Sequence, residues 1–274
     1  DIFQLWDHRL MCWDSMNESH IIELIDWMKK ENTHCISDPP YWIAYDPEKH
    51  WMIKNDDKIL DYTALAKKYT AGFFCMWTGY QVVDKWIQII QRTFEKITNM
   101  IIWHKWGGGM WDCQRSLSQD FEILLVNHRN NFLQWWYRWN TIRMYNKEEK
   151  NDFIKKWKKE DMQNILQKEV DWVCLWKVKK DNTIWYMHPT QKPVEIDERV
   201  LENFTQIWDN VLDLFWWSWS NLLACEKLNR KCYMMELDPK YVTVIIKRFY
   251  EVTGWKKQIK CINRDLDITL ITND

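Results

Sequence analysis

Short apolar runs and amphipathic helical stretches alternate along both ends of this chain, and that alternation leaves few folds open. Arg9 to Cys12 and Thr33 to Ser37 read as strands flanking a helical segment, Glu18 to Lys30, in which Ile21, Ile22, Leu24, Ile25 and Met28 form a stripe of 3.6-residue period. The three together read as a βαβ unit. Gly72 to Trp77 reads as a strand, Gln81 to Ile97 as an amphipathic helix, and Met100 to Trp103 and Phe121 to Val126 as further strands. Val194 to Ile207 is expected to be helical, Val211 to Phe215 a strand, Asn221 to Leu228 a helix, Lys231 to Leu237 a strand, and Pro239 to Val252 a helix with proline in its first turn. Strands alternating with helices predict an α/β fold, with a mainly parallel sheet covered by helices on both faces.

Between residues 127 and 187 the rhythm fails. From Asn127 to Lys159 nine basic residues (Arg129, Arg138, Arg143, Lys147, Lys150, Lys155, Lys156, Lys158, Lys159) face three acids, interleaved with Phe132, Trp135, Trp136, Tyr137, Trp139, Tyr145, Phe153 and Trp157. Cations among flat rings suit a nucleic-acid surface, because phosphates are neutralised while rings stack or wedge. A solvated helical face has the same composition, and both readings stand. The chain therefore divides into residues 1–126, an inserted region 127–187 and residues 188–274.

Composition adds an anomaly. Lys plus Arg number 38 against 39 acids, for a net charge of -1, so any contact with nucleic acid must come from a local basic surface. Average usage would supply about 19 glycines in a chain of this length, yet there are 6, alongside 22 tryptophans. The tryptophan excess roughly matches the glycine deficit, as replacement of glycine by tryptophan would produce. No apolar run approaches the ~20 residues of a membrane span, and Asp1-Ile2-Phe3-Gln4 lacks the marks of a signal peptide, so a cytoplasmic location is expected. The eight cysteines form no C-x-x-C pair and several sit in strand-like stretches, which predicts buried thiols and no metal site.

Three motifs carry chemistry. Ser37-Asp38-Pro39-Pro40-Tyr41 follows directly on a strand. A carboxylate, two prolines that keep carbonyl acceptors without amide donors, and an aromatic ring make a rigid, acceptor-rich lip able to hold an amino group. His188-Pro189-Thr190-Gln191-Lys192-Pro193 precedes a helix. Val211-Leu212-Asp213-Leu214-Phe215 leads through Trp216-Trp217-Ser218-Trp219-Ser220 into a helix, and Glu236 comes 23 residues after Asp213, close to the spacing at which an acid holds a ribose hydroxyl.

The ordered set of Asp38-Pro39-Pro40-Tyr41, basic segment, His188 to Pro193, Asp213-Leu214-Phe215-x-x-Ser-x-Ser and Glu236-Leu237-Asp238-Pro239-Lys240-Tyr241 resembles the beta-class amino-methylating DNA methyltransferases with adenine as target, over nearly the whole chain. Asp7-His8-Arg9-Leu10-Met11-Cys12-Trp13-Asp14-Ser15 is similar to that family's first strand and turn. The resemblance implies a Rossmann-like fold using S-adenosylmethionine, with a target-recognition insertion at residues 127–187. It implies methyl transfer to N6 of adenine in double-stranded DNA, with Asp38, Pro39, Pro40 and Tyr41 catalytic. Asp213 and Ser218 would line the methionine end of the cofactor, Glu236 the ribose, Asp14 the adenine ring, and Thr190, Gln191 and Lys192 the carboxylate end, with Phe215 and Ser220 also among the cofactor-binding residues. Arg129, Arg138, Arg143, Lys155, Lys156, Lys158 and Lys159 would contact DNA. A prokaryotic or phage origin, a homodimer and a cognate restriction endonuclease belong to the same pattern.

Departures follow one rule. Where the family has Phe-x-Gly-x-Gly this chain has Trp217 and Trp219, Trp216 also stands at a common glycine position, and Trp42, Trp106 and Trp111 look like further replacements. None of the six prolines is followed by cysteine, which excludes the nucleophilic Pro-Cys of cytosine carbon-5 methylation and the Pro-Cys-x-x-Cys of zinc deaminases. Two alternatives stay open: methylation of the cytosine N4 amine, and a DNA-binding remnant whose cofactor loop is filled by indoles.

Overall fold

The computed structural model describes residues 1–26, 28–40, 58–105, 121–128, 143–144, 170–178, 192–215, 220–254 and 256–268. Eleven strands among them form one sheet: β1 (Ile2–Leu5), β2 (His8–Cys12), β3 (Thr33–Ser37), β4 (Phe74–Thr78), β5 (Ile97–Lys105), β6 (Phe121–Asn127), β7 (Arg143–Met144), β8 (Val170–Val178), β9 (Asn210–Asp213), β10 (Lys231–Glu236) and β11 (Ile259–Cys261). Their order across the sheet is β11-β1-β2-β10-β9-β3-β4-β6-β5-β8-β7. The central run β2-β10-β9-β3-β4 is parallel throughout.

The helices are α1 (Glu18–Ile25), α2 (Thr63–Tyr69), α3 (Val83–Phe94), α4 (Val194–Phe204), α5 (Ser220–Lys227) and α6 (Pro239–Thr253). Strand residues alternate between two cores, as a two-residue period on a sheet buried on both faces requires. Ile36, Cys75, Trp77, Leu124, Val211 and Met234 meet α4, α5 and α6 on one face, while Cys35, Phe74, Met76, Leu125, Leu212 and Met235 meet α1, α2 and α3 on the other.

Several local expectations shift. The first helix ends at Ile25 rather than Lys30, because the chain turns back through a 3-10 turn at Lys30–Asn32 to enter β3. β2 and β3 are parallel members of one sheet but are not neighbours: β10 and β9, from the last quarter of the chain, lie between them. β6 runs antiparallel to both β4 and β5. β8, from the segment where the rhythm fails, pairs in parallel along β5 and so extends the main sheet. α6 begins and ends as its sequence predicts: Asp238 caps it by accepting from the Lys240 amide at 3.0 Å, and Gly254 closes it in the left-handed region at φ 61°.

Two other left-handed positions are held by tryptophan. Trp6, in the β1–β2 turn, has φ 54°, and Trp208, just before β9, has φ 72°. This backbone region favours glycine, and a bulky residue there costs about 1 to 2 kcal/mol. Both indoles lie largely in solvent, 50% and 63% exposed. Gly72 shows the complementary constraint. A Cβ there would lie 2.4 Å from the His34 ring, which accepts from the Phe73 amide and pairs with Asp209.

Four of the cysteines, Cys35, Cys75, Cys225 and Cys232, are buried as free thiols, and burial pushes Cys75 and Cys232 well above the ordinary thiol pKa. Among the described residues no helix is long and apolar enough to cross a membrane.

Candidate active site

The chain leaves β9 through α5 toward β10 on one side, and leaves β3 through α2 toward β4 on the other. Adjacent parallel strands whose connections diverge open a crevice at their carboxyl ends, which is where α/β sheets bind ligands. Four acids expected from the sequence fall along this edge on neighbouring strands: Asp14 after β2, Glu236 ending β10, Asp213 ending β9 and Asp38 after β3. Residues separated by up to 222 positions in sequence are thereby aligned on one rim.

Hydrogen bonds lock the middle of that rim. The Asn221 side-chain amide, in the first turn of α5, donates to the Ile36 carbonyl at 3.2 Å and to Asp213 Oδ2 at 3.0 Å, joining β3, β9 and α5. The Phe215 amide donates to Asp213 Oδ1 at 3.2 Å, and the Leu214 amide to Ser37 Oγ at 3.3 Å. Asp213 is buried, and burial raises its carboxyl pKa well above the ordinary value despite the bonds from Asn221 and Phe215. Phe215 packs edge-on to Tyr62, ring centroids 4.8 Å apart. The Tyr62 hydroxyl is buried beside Ser37, and Asn221 Oδ1 is buried without a hydrogen-bond partner among the described residues.

Asp38 and Pro39 are buried and Pro40 is half-buried. The Asp38 carboxylate receives a hydrogen bond from the ammonium of Lys192, which also pairs with Glu122 Oε2 at 3.1 Å and lies over the Trp77 ring, 5.2 Å from its centroid. Burial disfavours that charge, but Asp38 and Glu122 outweigh it and hold the ammonium above the ordinary lysine pKa. Asp197, on α4 beside this group, is 3% exposed. Burial pushes its carboxyl up to about 7, against a hydrogen bond from Ser220 and the attraction of Lys192.

At the outer end of the rim, Glu236 Oε1 accepts from the Asp238 amide at 2.7 Å, and Asp14 Oδ1 accepts from the Met16 amide at 2.9 Å. Ser220 is buried at the start of α5. Lys192 is thus packed against Asp38, whereas the family pattern would set it at the cofactor's carboxylate. Tyr41, Thr190, Gln191, Ser218, the tryptophans at 216, 217 and 219, and Arg129, Arg138, Lys155, Lys156, Lys158 and Lys159 lie outside the described residues, and Arg143 is described only as backbone in β7. Glu122, Asp197, Asn221 and Tyr62 were not expected. The one signal for them in the sequence is a carboxylate inside an apolar run: Glu122 in Phe121-Glu122-Ile123-Leu124, and Asp197 within an amphipathic helix.

A family model described as DNA methylase matches residues 12–248. Among solved structures, the M1.HpyAVI complex with S-adenosylmethionine is 20% identical, with 87% of this chain and 98% of that one covered and a TM-score of 0.56. TTHA0409 of Thermus thermophilus, complexed with S-adenosyl-L-methionine, is 17% identical over 91% of this chain and 96% of that one, TM-score 0.55. The cytosine-N4-specific PvuII DNA methyltransferase is 12% identical over 100% of this chain and 94% of that one, TM-score 0.63. No curated protein sequence matches. These likenesses establish a methyltransferase-type α/β fold.

Proposed function

We propose that this chain, which belongs to the DNA methylase family, transfers a methyl group from S-adenosylmethionine to the exocyclic N6 amine of adenine in duplex DNA. One observation carries the reading: the Asp38-Pro39-Pro40 lip and the Asp213 loop stand side by side at the crevice where the sheet connections diverge.

The amine is a weak nucleophile because its lone pair is delocalised into the purine ring. The Asp38 carboxylate and the Pro39 carbonyl accept its two hydrogens and draw the lone pair out of conjugation, while the proline rings hold both acceptors in place. Tyr41 stacks on the base. Taking adenine out of the duplex costs a few kcal/mol, which stacking and these acceptors offset. The basic, aromatic segment Asn127 to Lys159 holds the DNA, with Arg129, Arg138, Arg143, Lys155, Lys156, Lys158 and Lys159 on phosphates.

The rim suits the cofactor's chemistry. Its carboxylates match a ligand rich in amino and hydroxyl donors, and Asn221 Oδ1, without a partner among the described residues, is a buried polar atom beside the loop. Glu236 would hold the ribose hydroxyls, Asp14 the adenine ring, Asp213, Phe215, Ser218 and Ser220 the methionine end, and Thr190 and Gln191 the carboxylate end. When bound, S-adenosylmethionine supplies a methyl carbon made electrophilic by its sulfonium.

The test incubates the full chain with duplex DNA and isotopically labelled S-adenosylmethionine, then identifies methylated nucleosides by mass spectrometry. N6-methyldeoxyadenosine is expected, and Asp38→Ala abolishes it in a folded protein. N4-methyldeoxycytidine instead overturns the choice of base. DNA binding without cofactor binding or transfer assigns the chain as a DNA-binding remnant.

A further inference from the structure

Lys192 occupies an unusual place. It is 1% exposed, and the groups packed round it come from four separate elements: Asp38 after β3, Glu122 on β6, Trp77 on β4 and Asp197 on α4. A buried ion pair is costly to assemble and persists only with close geometry and further polar contacts. Here the ammonium touches Asp38, reaches Glu122 at 3.1 Å and sits on an aromatic face. Asp38 also faces Asp197 and Asp213, both buried. Without the ammonium, burial and the charge of Glu122 would drive Asp38 toward its neutral form, a poor acceptor for amine hydrogens, and Asp197 and Asp213 would add their charges only at the higher pH where they ionise.

We propose that Lys192 is a positioning residue for Asp38: its ammonium, anchored by Glu122 and seated on Trp77, fixes the orientation of the carboxylate and keeps it ionised to receive the target amine. The inference rests on the methyl-transfer reading and deepens it. With Oδ2 committed to the ammonium, rotation of the carboxylate about its Cβ–Cγ bond is restrained, so the acceptor is aimed before the base arrives. Glu122 acts one step further out, holding Lys192 against the pull of Asp197. The cluster spans the catalytic lip and, through the Ser220 bond to Asp197, the helix that follows the cofactor loop.

The experiment compares the full chain with Lys192→Met, Lys192→Arg and the double variant Lys192→Met/Glu122→Gln. The double variant removes one charge of each sign and serves should the single substitution leave the protein unfolded. Three quantities are read: the single-turnover methylation rate at saturating cofactor from pH 5 to 9, the S-adenosylmethionine Kd by calorimetry, and the pH midpoint of the stability difference between each protein and its Asp38→Asn counterpart. Loss of Lys192 is expected to lower the saturating rate by on the order of 100-fold, as loss of a preorganised electrostatic contact does. It is also expected to move the acid limb of the pH profile and the Asp38-dependent midpoint upward by about one pH unit or more, while Kd changes by less than about threefold. Lys192→Arg restores most of the rate and the original acid limb.

A Kd raised tenfold or more with an unmoved acid limb and saturating rate would place Lys192 on the cofactor and overturn the proposal. A rate lost equally at every pH, with no change in the Asp38-dependent midpoint, would reduce Lys192 to a packing role and also overturn it. A wild-type chain that makes no methylated product, yet shows the Lys192-dependent midpoint, counts against the methyl-transfer reading and not against the pair.

Discussion

Asp197→Asn is expected to stabilise the protein above pH 7 and to leave its stability nearly unchanged at pH 4. Asp197 is buried on α4, and burial pushes its carboxyl from an ordinary 3.8 up to about 7, against the hydrogen bonds and the Lys192 charge that favour its ionised form. Between those two pH values the folded chain keeps a proton that the unfolded chain has released. Stability therefore falls as pH rises through that window, and the full cost is reached above pH 7. At ~1.4 kcal/mol per pH unit the ceiling is about 4 kcal/mol, and relaxation around the site brings the expected effect to roughly 2 to 4 kcal/mol. Asparagine keeps the shape and the bond to Ser220 without the charge. Asp213 is raised chiefly by burial and in part by the charge of Asp197, so removing that charge eases Asp213 as well and adds to the stabilisation at high pH. The attraction of Lys192 for the ionised Asp197 is already contained in the value of about 7 and calls for no further deduction. Urea unfolding of both proteins at unit steps from pH 4 to 8 measures the difference directly. A constant offset from the extra amide hydrogens leaves the argument intact, because the slope decides. A difference flat across pH 4 to 8, or one that shrinks with rising pH, would refute it.

The other expectations are simpler. Trp208→Gly should be more stable than Trp208→Ala by about 1 kcal/mol in denaturant melts, since both remove the exposed indole and only glycine relieves φ 72°; at Trp6 the glycine–alanine difference should be similar, but glycine should gain less over the wild type, because both variants lose the contact with Lys257, which lies over that ring at 5.5 Å. Replacing Lys155, Lys156, Lys158 and Lys159 by glutamate should weaken duplex binding and flatten its salt dependence by about 0.9 in log-log slope for each phosphate no longer neutralised; an unchanged slope makes the segment a solvated face. Restoring glycine at Trp216, Trp217 and Trp219 together should raise S-adenosylmethionine affinity by several powers of ten in calorimetric titration, since each forced backbone costs about 1 to 3 kcal/mol and ~1.4 kcal/mol is a factor of ten; micromolar binding by the unaltered chain would defeat that expectation.

Where the sequence spoke plainly, one residue's neighbours in sequence were also its neighbours in space. β3 was legible because Thr33 to Ser37 is a short run closed by Asp-Pro-Pro, and α6 because Asp238, Pro239 and Gly254 mark both ends. α2 and β1 were not, since Thr63–Tyr69 carries two lysines and little apolar period, and Ile2–Leu5 is only four residues long. Strand order lay further out of reach. Nothing local to Arg9 or Thr33 says that β10 and β9, some two hundred residues on, will insert between them. The rim acids could be found because each ends a recognisable strand. Glu122 and Asp197 could not, because their role exists only once β6 and α4 converge on Lys192, and a lone acid in an apolar run says nothing about which cation will meet it.

The tryptophans at left-handed backbone divide what keeps the fold from what permits binding. At Trp6 and Trp208 the turn retains the conformation a glycine would prefer while the side chain escapes into water, so the cost is backbone strain of about 1 to 2 kcal/mol each. A domain with some 5 to 15 kcal/mol of stability can carry two such turns and still fold. Between Asp213 and Ser220 the same replacement would be judged differently, because a cofactor loop must supply empty volume as well as a permitted φ, and no side-chain escape restores volume to a ligand. Stability and cofactor affinity therefore respond to these substitutions through separate physical requirements. A cooperative melt at an ordinary temperature would certify the sheet and its helices and say nothing of methyl transfer, so the binding titration, and not the melting curve, is the measurement on which the activity of this chain turns.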